Sequence, residues 1–344
     1  MFNFYTRDIG IDLGTANTLI YAKGEGIILD EPSVIAVDVY TDKILATGLK
    51  AKEMGGRTPE RIRVIRPLQE GVISDFMMTQ TMLKEYVERI VPKKRMFSQL
   101  RAVVGIPSGV TEVEKRAVEE VIRQMGAREV YTIVEPMAAA IGAGLDIDEA
   151  RGCMVVDIGG GTMDIAVLSM GDIVSSSSIR YGGDKMDEAI AHFVRKKYNL
   201  LIGIALAEKL KIEIGYAIPP DGEYRDVTMT AKGRDIITGL PSAVEVHSDD
   251  IILALEDSVR IIVDGVKGTL EQSPPEIAAD IVESGLVMAG GGALLRGLNV
   301  LLERETGLRV LVAENAMTAV AEGTGKSLQD ISRLRYHAQT SRKY

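Results

Sequence analysis

One pattern, used twice, limits what this chain can fold into. Residues 8–22 read Asp-Ile-Gly-Ile-Asp-Leu-Gly-Thr-Ala-Asn-Thr-Leu-Ile-Tyr-Ala, and residues 153–168 read Cys-Met-Val-Val-Asp-Ile-Gly-Gly-Gly-Thr-Met-Asp-Ile-Ala-Val-Leu. Each is an apolar run of strand length, a tight turn carrying glycine, and a second apolar run. The aspartates that close the first runs, Asp12 and Asp157, stand 145 positions apart. Solenoid repeats recur every ~20–50 residues, so a spacing this long indicates a duplicated domain. The chain has 344 residues, more than the roughly 250–300 at which a single core stops growing. Two lobes are therefore expected.

The duplication extends past the turns. Third strands are expected at 33–37 and 173–179, and each half ends near a helix of small residues: Glu135-Pro136-Met137-Ala138-Ala139-Ala140-Ile141-Gly142 and Ala319-Val320-Ala321-Glu322-Gly323-Thr324-Gly325-Lys326. Thr111 and Glu114 have capping-box spacing. Val113, Ala117, Val118, Val121, Ile122 and Met125 follow as one apolar helix face, and Gly126 stops it. Further helices are expected from Asp184 to about Tyr198, and over 248–272 before Ser273-Pro274-Pro275. The stretches 33–75 and 181–240 read as small insertions, with short β-like runs over 217–247. The expected fold class is α/β, with the first lobe formed by 1–145 and 318–344 and the second by 146–317.

Charge and composition exclude several function classes. The net charge is −9, from 40 basic and 49 acidic residues, a field that repels polyanions, so no nucleic-acid partner is expected. No run reaches the roughly 18 apolar residues of a spanning helix. The start, Met1-Phe2-Asn3-Phe4-Tyr5-Thr6-Arg7, lacks the apolar core and cleavage site of a secretory signal. The single cysteine, Cys153, falls in an apolar strand pattern and suits a reducing, cytoplasmic setting.

The turns carry the chemistry. Glycine lets a backbone approach a ligand closely and adopt positive φ, and consecutive N–H groups form an anion-binding concavity. Gly14-Thr15-Ala16-Asn17 and Gly159-Gly160-Gly161-Thr162 are both expected to cradle phosphate. Asp12 and Asp157 suit a magnesium ion, which keeps several waters and takes one or two protein carboxylates plus phosphate oxygens. A single Asp-x-Gly-Thr fits a plain hairpin, whereas two in matched contexts favour a nucleotide. A third cluster, Gly290-Gly291-Gly292, follows the apolar run 285–289 and precedes a helix expected near Ala293. Such a junction suits a sugar or ring against backbone. The P-loop and dinucleotide glycine motifs are absent.

As a set these motifs resemble the actin-like ATPases, whose nucleotide fold is shared with sugar kinases and seventy-kilodalton heat-shock chaperones. Residues 12–18 resemble the first phosphate motif and 157–162 the second. Residues 135–140 and 319–328 resemble the two connecting helices, and 286–293 the adenosine motif. The resemblance is closest to the bacterial MreB and Mbl proteins, through 9–18, Asp30-Glu31-Pro32-Ser33-Val34, Thr238-Gly239-Leu240-Pro241 and 288–297, and it runs from about 7 to 330.

The resemblance implies duplicated actin-like (ribonuclease H-like) domains, forming two lobes with two small inserted subdomains around a nucleotide cleft. It implies ATP and Mg²⁺ as cofactors, with Glu135 orienting the hydrolytic water and Thr162 assisting. It implies nucleoside contacts from Ala207, Glu208, Lys209 and Leu210, and from Gly290, Gly291, Gly292 and Ala293. It also implies a homopolymer of paired protofilaments at the inner face of the cell membrane, working with cell-wall elongation proteins to maintain rod shape.

Lys93-Lys94-Arg95-Met96-Phe97 joins basic charge to an apolar pair, which suits an anionic bilayer, and MreB-like proteins insert the matching segment; Phe2, Phe4 and Tyr5 could add to it. A small-molecule kinase of the same superfamily is the alternative, but the insertions leave little room for a substrate pocket. A chaperone would need a peptide-binding domain after Gly325, where only the basic stretch 326–344 follows.

Overall fold

A computed structural model describes residues 6–90, 99–219 and 226–329. Two five-stranded sheets carry the architecture. The first contains β1 (Thr6–Leu13), β2 (Asn17–Ala22), β3 (Gly26–Pro32), β4 (Gln99–Ile106) and β5 (Ala127–Val134), in the order β3-β2-β1-β4-β5. The second contains β6 (Cys153–Ile158), β7 (Met163–Ser169), β8 (Asp172–Ile179), β9 (Leu286–Ala289) and β10 (Val310–Val312), in the order β8-β7-β6-β9-β10. The orders are the same. In both sheets the first three strands are an antiparallel meander, the fourth pairs parallel with the strand that bears the aspartate, and the fifth pairs parallel with the fourth. The repeat seen in the turns is thus a repeat of whole sheets.

Each sheet is covered on both faces, and the strand period of two divides its side chains between them. In β6, Met154, Val156 and Ile158 enter the core of their own lobe, while Cys153 and Val155 enter a core between the lobes. In the first sheet, Ile9, Ile11, Ala102 and Val104 build a separate core. The middle core is filled by two helices, α1 (Glu135–Gly142) and α4 (Ala319–Ser327). These cross at their small residues: a Cβ on Gly142 would strike the Ala319 carbonyl, and one on Gly323 the Ala138 carbonyl. Two more helices frame the cleft, α2 (Gly183–Tyr198) and α3 (Ile204–Ile214). The helix Ser248–Glu271 packs its apolar face on the second core.

Three expectations change. The third strand of the first half is Gly26–Pro32. Residues 33–37 lead instead into Ile35–Asp38, the middle strand of a small separate sheet with Ile44–Thr47 and Ile62–Ile65. The acidic, proline-ended β3 reads as a loop, but as an edge strand it tolerates proline. The helix expected near Ala293 is a short 3-10 turn, Gly291–Leu294, and the α-helix begins later at Leu298. The Thr111 capping box forms, with Glu114 N donating to the threonine hydroxyl at 3.2 Å and Thr111 N donating to the glutamate at 2.7 Å. Val113, however, is 77% exposed, because the first turn projects beyond the core that receives Val118, Val121 and Ile122.

The 217–247 segment contributes Thr228–Asp235 and Pro241–His247, a hairpin that joins Leu200–Leu201 in a three-stranded sheet. Among the described residues no helix is long and apolar enough to cross a membrane.

Candidate functional site

The hairpin turns of the two sheets meet at a cavity of about 380 Å³, in the range of small-molecule sites. Gly14, Thr15, Ala16 and Asn17 line it from β1–β2, and Gly159, Gly160, Gly161 and Thr162 from β6–β7. The turns touch. A Cβ on Gly160 would lie 2.6 Å from the Ala16 Cβ, and one on Gly161 would strike the Thr15 hydroxyl. None of Gly14, Gly159, Gly160 or Gly161 has positive φ. Their glycines therefore serve close approach, and the expected use of positive φ is corrected.

The second turn is held from outside. Gly183 N and Asp184 N, at the start of α2, donate to the carbonyls of Gly159 and Gly160 at 3.0 and 2.9 Å. With those carbonyls engaged by α2, and Gly159 N donating to the Thr162 carbonyl at 2.9 Å, the amides of Gly160 and Gly161 are left for an anion. In the first turn, Ser33 Oγ donates to the Gly14 carbonyl at 2.6 Å, and Gly71 N donates to Thr15 Oγ1 at 3.0 Å.

Asp12, Asp157 and Glu135 line the same cavity. Burial is the first cause of a raised pKa in each. It pushes Asp12 to about 7, with help from the charge of Asp30. Glu135 is raised well above the ordinary range by burial and then by Asp164, Asp12 and Asp157. Asp157 is raised likewise by burial and then by Asp12 and Asp164. Asp157 Oδ1 is buried without a hydrogen-bond partner. Gly290, at φ 78°, passes so close that a Cβ there would lie 2.6 Å from this oxygen.

Mutually repelling acids with an orphaned oxygen fit a divalent cation, whose charge reverses the repulsion. Among the described residues no group of three or more His, Cys, Asp or Glu could hold a metal by itself. Two carboxylates, Asp12 and Asp157, fit the one or two that a magnesium ion takes from protein.

Glu135 begins α1, with Pro136 at its first turn, and is 8% exposed. Thr162 is 7% exposed. Its methyl lies against Gly71, where a Cβ would come within 2.6 Å of Thr162 Cγ2.

At the other end of the cavity the expected residues divide. Glu208, Gly290, Gly291 and Gly292 line it. Ala207, Leu210 and Ala293 are buried in the second core, and Lys209 is exposed. The lysine that α3 turns into the cleft is Lys211, whose Nζ lies 2.7 Å from Asp187 Oδ1 and donates to the Gly183 carbonyl at 2.9 Å. Burial raises Asp187 to about 6 against the opposing pull of Lys211. Helical spacing could have found this lysine, because residues three apart share a face and neighbours do not.

Sequence reading also missed three ion pairs across the cleft mouth. Lys52 Nζ reaches Glu208 at 2.9 Å, Arg66 NH1 reaches Asp184 Oδ1 at 2.8 Å, and Lys185 Nζ reaches Glu70 at 3.8 Å. Met96 and Phe97, with Lys93, Lys94 and Arg95, lie outside the described residues, as do Phe2, Phe4 and Tyr5.

Two copies of one strand order, facing across a cleft and joined by helices that cross at glycine and alanine, define the actin-like class of nucleotide-binding proteins. The protein solved as "MamK double helical filament" shares this fold at TM-score 0.79 and 20% identity, covering 94% of this chain and 99% of that one. Within that class the chain belongs to the MreB/Mbl family, whose profile, described as MreB/Mbl protein, matches residues 6–336. It is 49% identical to the cell shape-determining protein Mbl of Bacillus cereus, over 96% of this chain and 98% of the relative. It is 50% identical to the cell shape-determining protein MreB of Escherichia coli, over 95% and 94%. It also superposes on MreB 5 of Spiroplasma citri bound to AMPPNP at TM-score 0.90 and 36% identity, covering 97% and 99%.

Proposed function

We propose that this chain binds ATP with Mg²⁺ in the interlobe cleft, hydrolyses it slowly, and polymerises with it into filaments on the inner face of the cell membrane. There it organises cell-wall synthesis and maintains rod shape, with 1–145 and 318–344 acting as one lobe and 146–317 as the other. The observation that carries the nucleotide reading is the convergence of both glycine turns on the partnerless Asp157 Oδ1. The Spiroplasma citri relatives bound to AMPPNP and to ADP support it. The relatives named cell shape-determining support the cellular role.

The turn amides of 14–17 and of Gly160 and Gly161 bind the phosphates, and Gly159, whose own amide closes the hairpin, lets the backbone approach them. Glu208 and Lys211 hold the nucleoside end, and Gly290–Gly292 let it lie against backbone. Asp12 and Asp157 hold the cation, which supplies charge neutralisation on the phosphate oxygens when bound. Glu135 orients water for in-line attack on the γ-phosphate, and the Thr162 hydroxyl assists. Closure of the two lobes excludes bulk water from the buried end.

Electron microscopy on an anionic lipid monolayer, with ATP, ADP or no nucleotide, tests the reading. Paired filaments with ATP and lipid are expected. Identical images in all three nucleotide states would reject it.

A further inference from the structure

Beneath Thr162 lies a carboxyl that the mechanism above leaves unused. Asp164 is in β7, in register with Asp157 of β6 on one side and with Ser178 of β8 on the other. It is 1% exposed and does not line the cavity. Its Oδ1 accepts two hydrogen bonds from Ser108, from the backbone N and from Oγ, both at 2.8 Å. Ser108 follows β4 of the first sheet, so these bonds join one lobe to the other. Its Oδ2 is buried without a hydrogen-bond partner. An acceptor left unmet in the interior is costly and uncommon. Burial raises the Asp164 carboxyl, and hydrogen bonding by Ser108, then Ser178, then Thr162 pulls it back down, so the hydroxyls of Ser178 and Thr162 are the further donors beside it.

We propose that Asp164 is a positioning residue for hydrolysis, its Oδ2 accepting the Thr162 hydroxyl while its Oδ1 is anchored on Ser108 of the opposite lobe. This rests on the reading of Glu135 and Thr162 as the hydrolytic pair. A hydroxyl has one hydrogen to give and two lone pairs. The Thr162 methyl lies against Gly71, and the direction of the O–H is the freedom that a partner for the hydroxyl would set. Giving that hydrogen to Asp164 leaves the oxygen facing the cavity as an acceptor for the attacking water. Because Asp164 is itself held by the first lobe, Thr162 acquires this direction only when the lobes are docked. Hydrolysis is thereby tied to closure.

The isosteric change Asp164→Asn gives the test. Its amide oxygen can keep both Ser108 donors, which leaves the NH₂ group facing Thr162 and forces the hydroxyl to accept. ATP turnover and AMPPNP affinity are measured for Asp164→Asn, Thr162→Ala, the double variant, Ser178→Ala and Glu135→Ala. Turnover of Asp164→Asn is expected to fall about tenfold or more, since misdirected groups lose rate rather than binding. AMPPNP affinity is expected to hold within about twofold, the signature of an effect on the transition state alone. The double variant is expected to lose no more than Thr162→Ala alone, because two groups acting through one bond are not additive. Ser178→Ala is expected to keep the parent rate.

Parent turnover in Asp164→Asn beside an impaired Thr162→Ala would overturn the proposal, as would additive losses or an equal loss in Ser178→Ala. Parent turnover in both Thr162→Ala and Glu135→Ala would overturn the hydrolytic reading and this proposal with it. Should Asp164→Asn lose AMPPNP binding altogether, Ser108→Ala carries the test, because it weakens the anchor and keeps the carboxylate. Reduced turnover at unchanged affinity, non-additive with Thr162→Ala, then supports the proposal, and additivity overturns it.

Discussion

Asp12 shows how the cleft trades stability for a ligand. Burial and Asp30 raise its carboxyl from 3.8 to about 7, so the folded state holds a proton that the unfolded state has released. The fold is then favoured at low pH and loses that advantage as pH rises from 3.8 through about 7. Asparagine at this position does not titrate. In nucleotide-free protein, the stability gain of Asp12→Asn over the parent should grow across that window and level off above it. Urea unfolding at several pH values measures this, and a gain that is flat with pH would contradict it. The same substitution should weaken magnesium-dependent nucleotide binding, since it removes a charged oxygen ligand.

At the scale of elements, small residues at the crossing of α1 and α4 fix how the lobes meet. A methyl on Gly323 runs into the Ala138 carbonyl, whereas Gly268, on the helix Ser248–Glu271, faces open space. Gly323→Ala should destabilise by on the order of 1–3 kcal/mol through overpacking. It should also slow ATP hydrolysis, because α1 begins with Glu135. Gly268→Ala should stabilise by up to about 1 kcal/mol, the ordinary gain for a helical glycine. Thermal and urea unfolding of the pair separate the two effects, and matching shifts of one sign would refute the packing argument.

Legibility from sequence follows the same division. Asp12, Asp157 and the glycine turns could be read because a local pattern occurs twice. The long helix from Ser248 and the Thr111 cap could be read because periodicity and capping are local. Gly26–Pro32 could not, since an edge strand ending in proline has the composition of a loop. Lys211 shares a helix face with Glu208, which spacing allows to be read, but the cavity that this face meets is built by distant segments and has no local signal.

For the molecule as a whole, closure depends on contacts between segments far apart in sequence. Lys52–Glu208 and Arg66–Asp184 span the cleft mouth with side chains roughly a quarter to a third exposed. Each such pair is worth at most about 1 kcal/mol, so removing both should speed nucleotide release by up to roughly thirtyfold. The variant Lys52→Ala, Arg66→Ala should also lose the salt sensitivity of release that screened charges confer. Stopped-flow release of a fluorescent ADP measures both, and a parent-like rate and salt response would contradict a closing role. Membrane attachment through Met96 and Phe97 is tested by flotation with anionic liposomes. Met96→Ser, Phe97→Ser should remain with the soluble fraction, and undiminished flotation would exclude this segment as the anchor.

The central claim is that the two-turn cleft hydrolyses ATP in step with assembly. Phosphate release from ATP, followed across a range of protein concentrations without any added acceptor, tests it most directly. The rate per molecule should rise with protein concentration in the parent, and Glu135→Ala should bind ATP yet release phosphate far more slowly. A rate per molecule independent of concentration, or parent turnover in Glu135→Ala, would contradict the account.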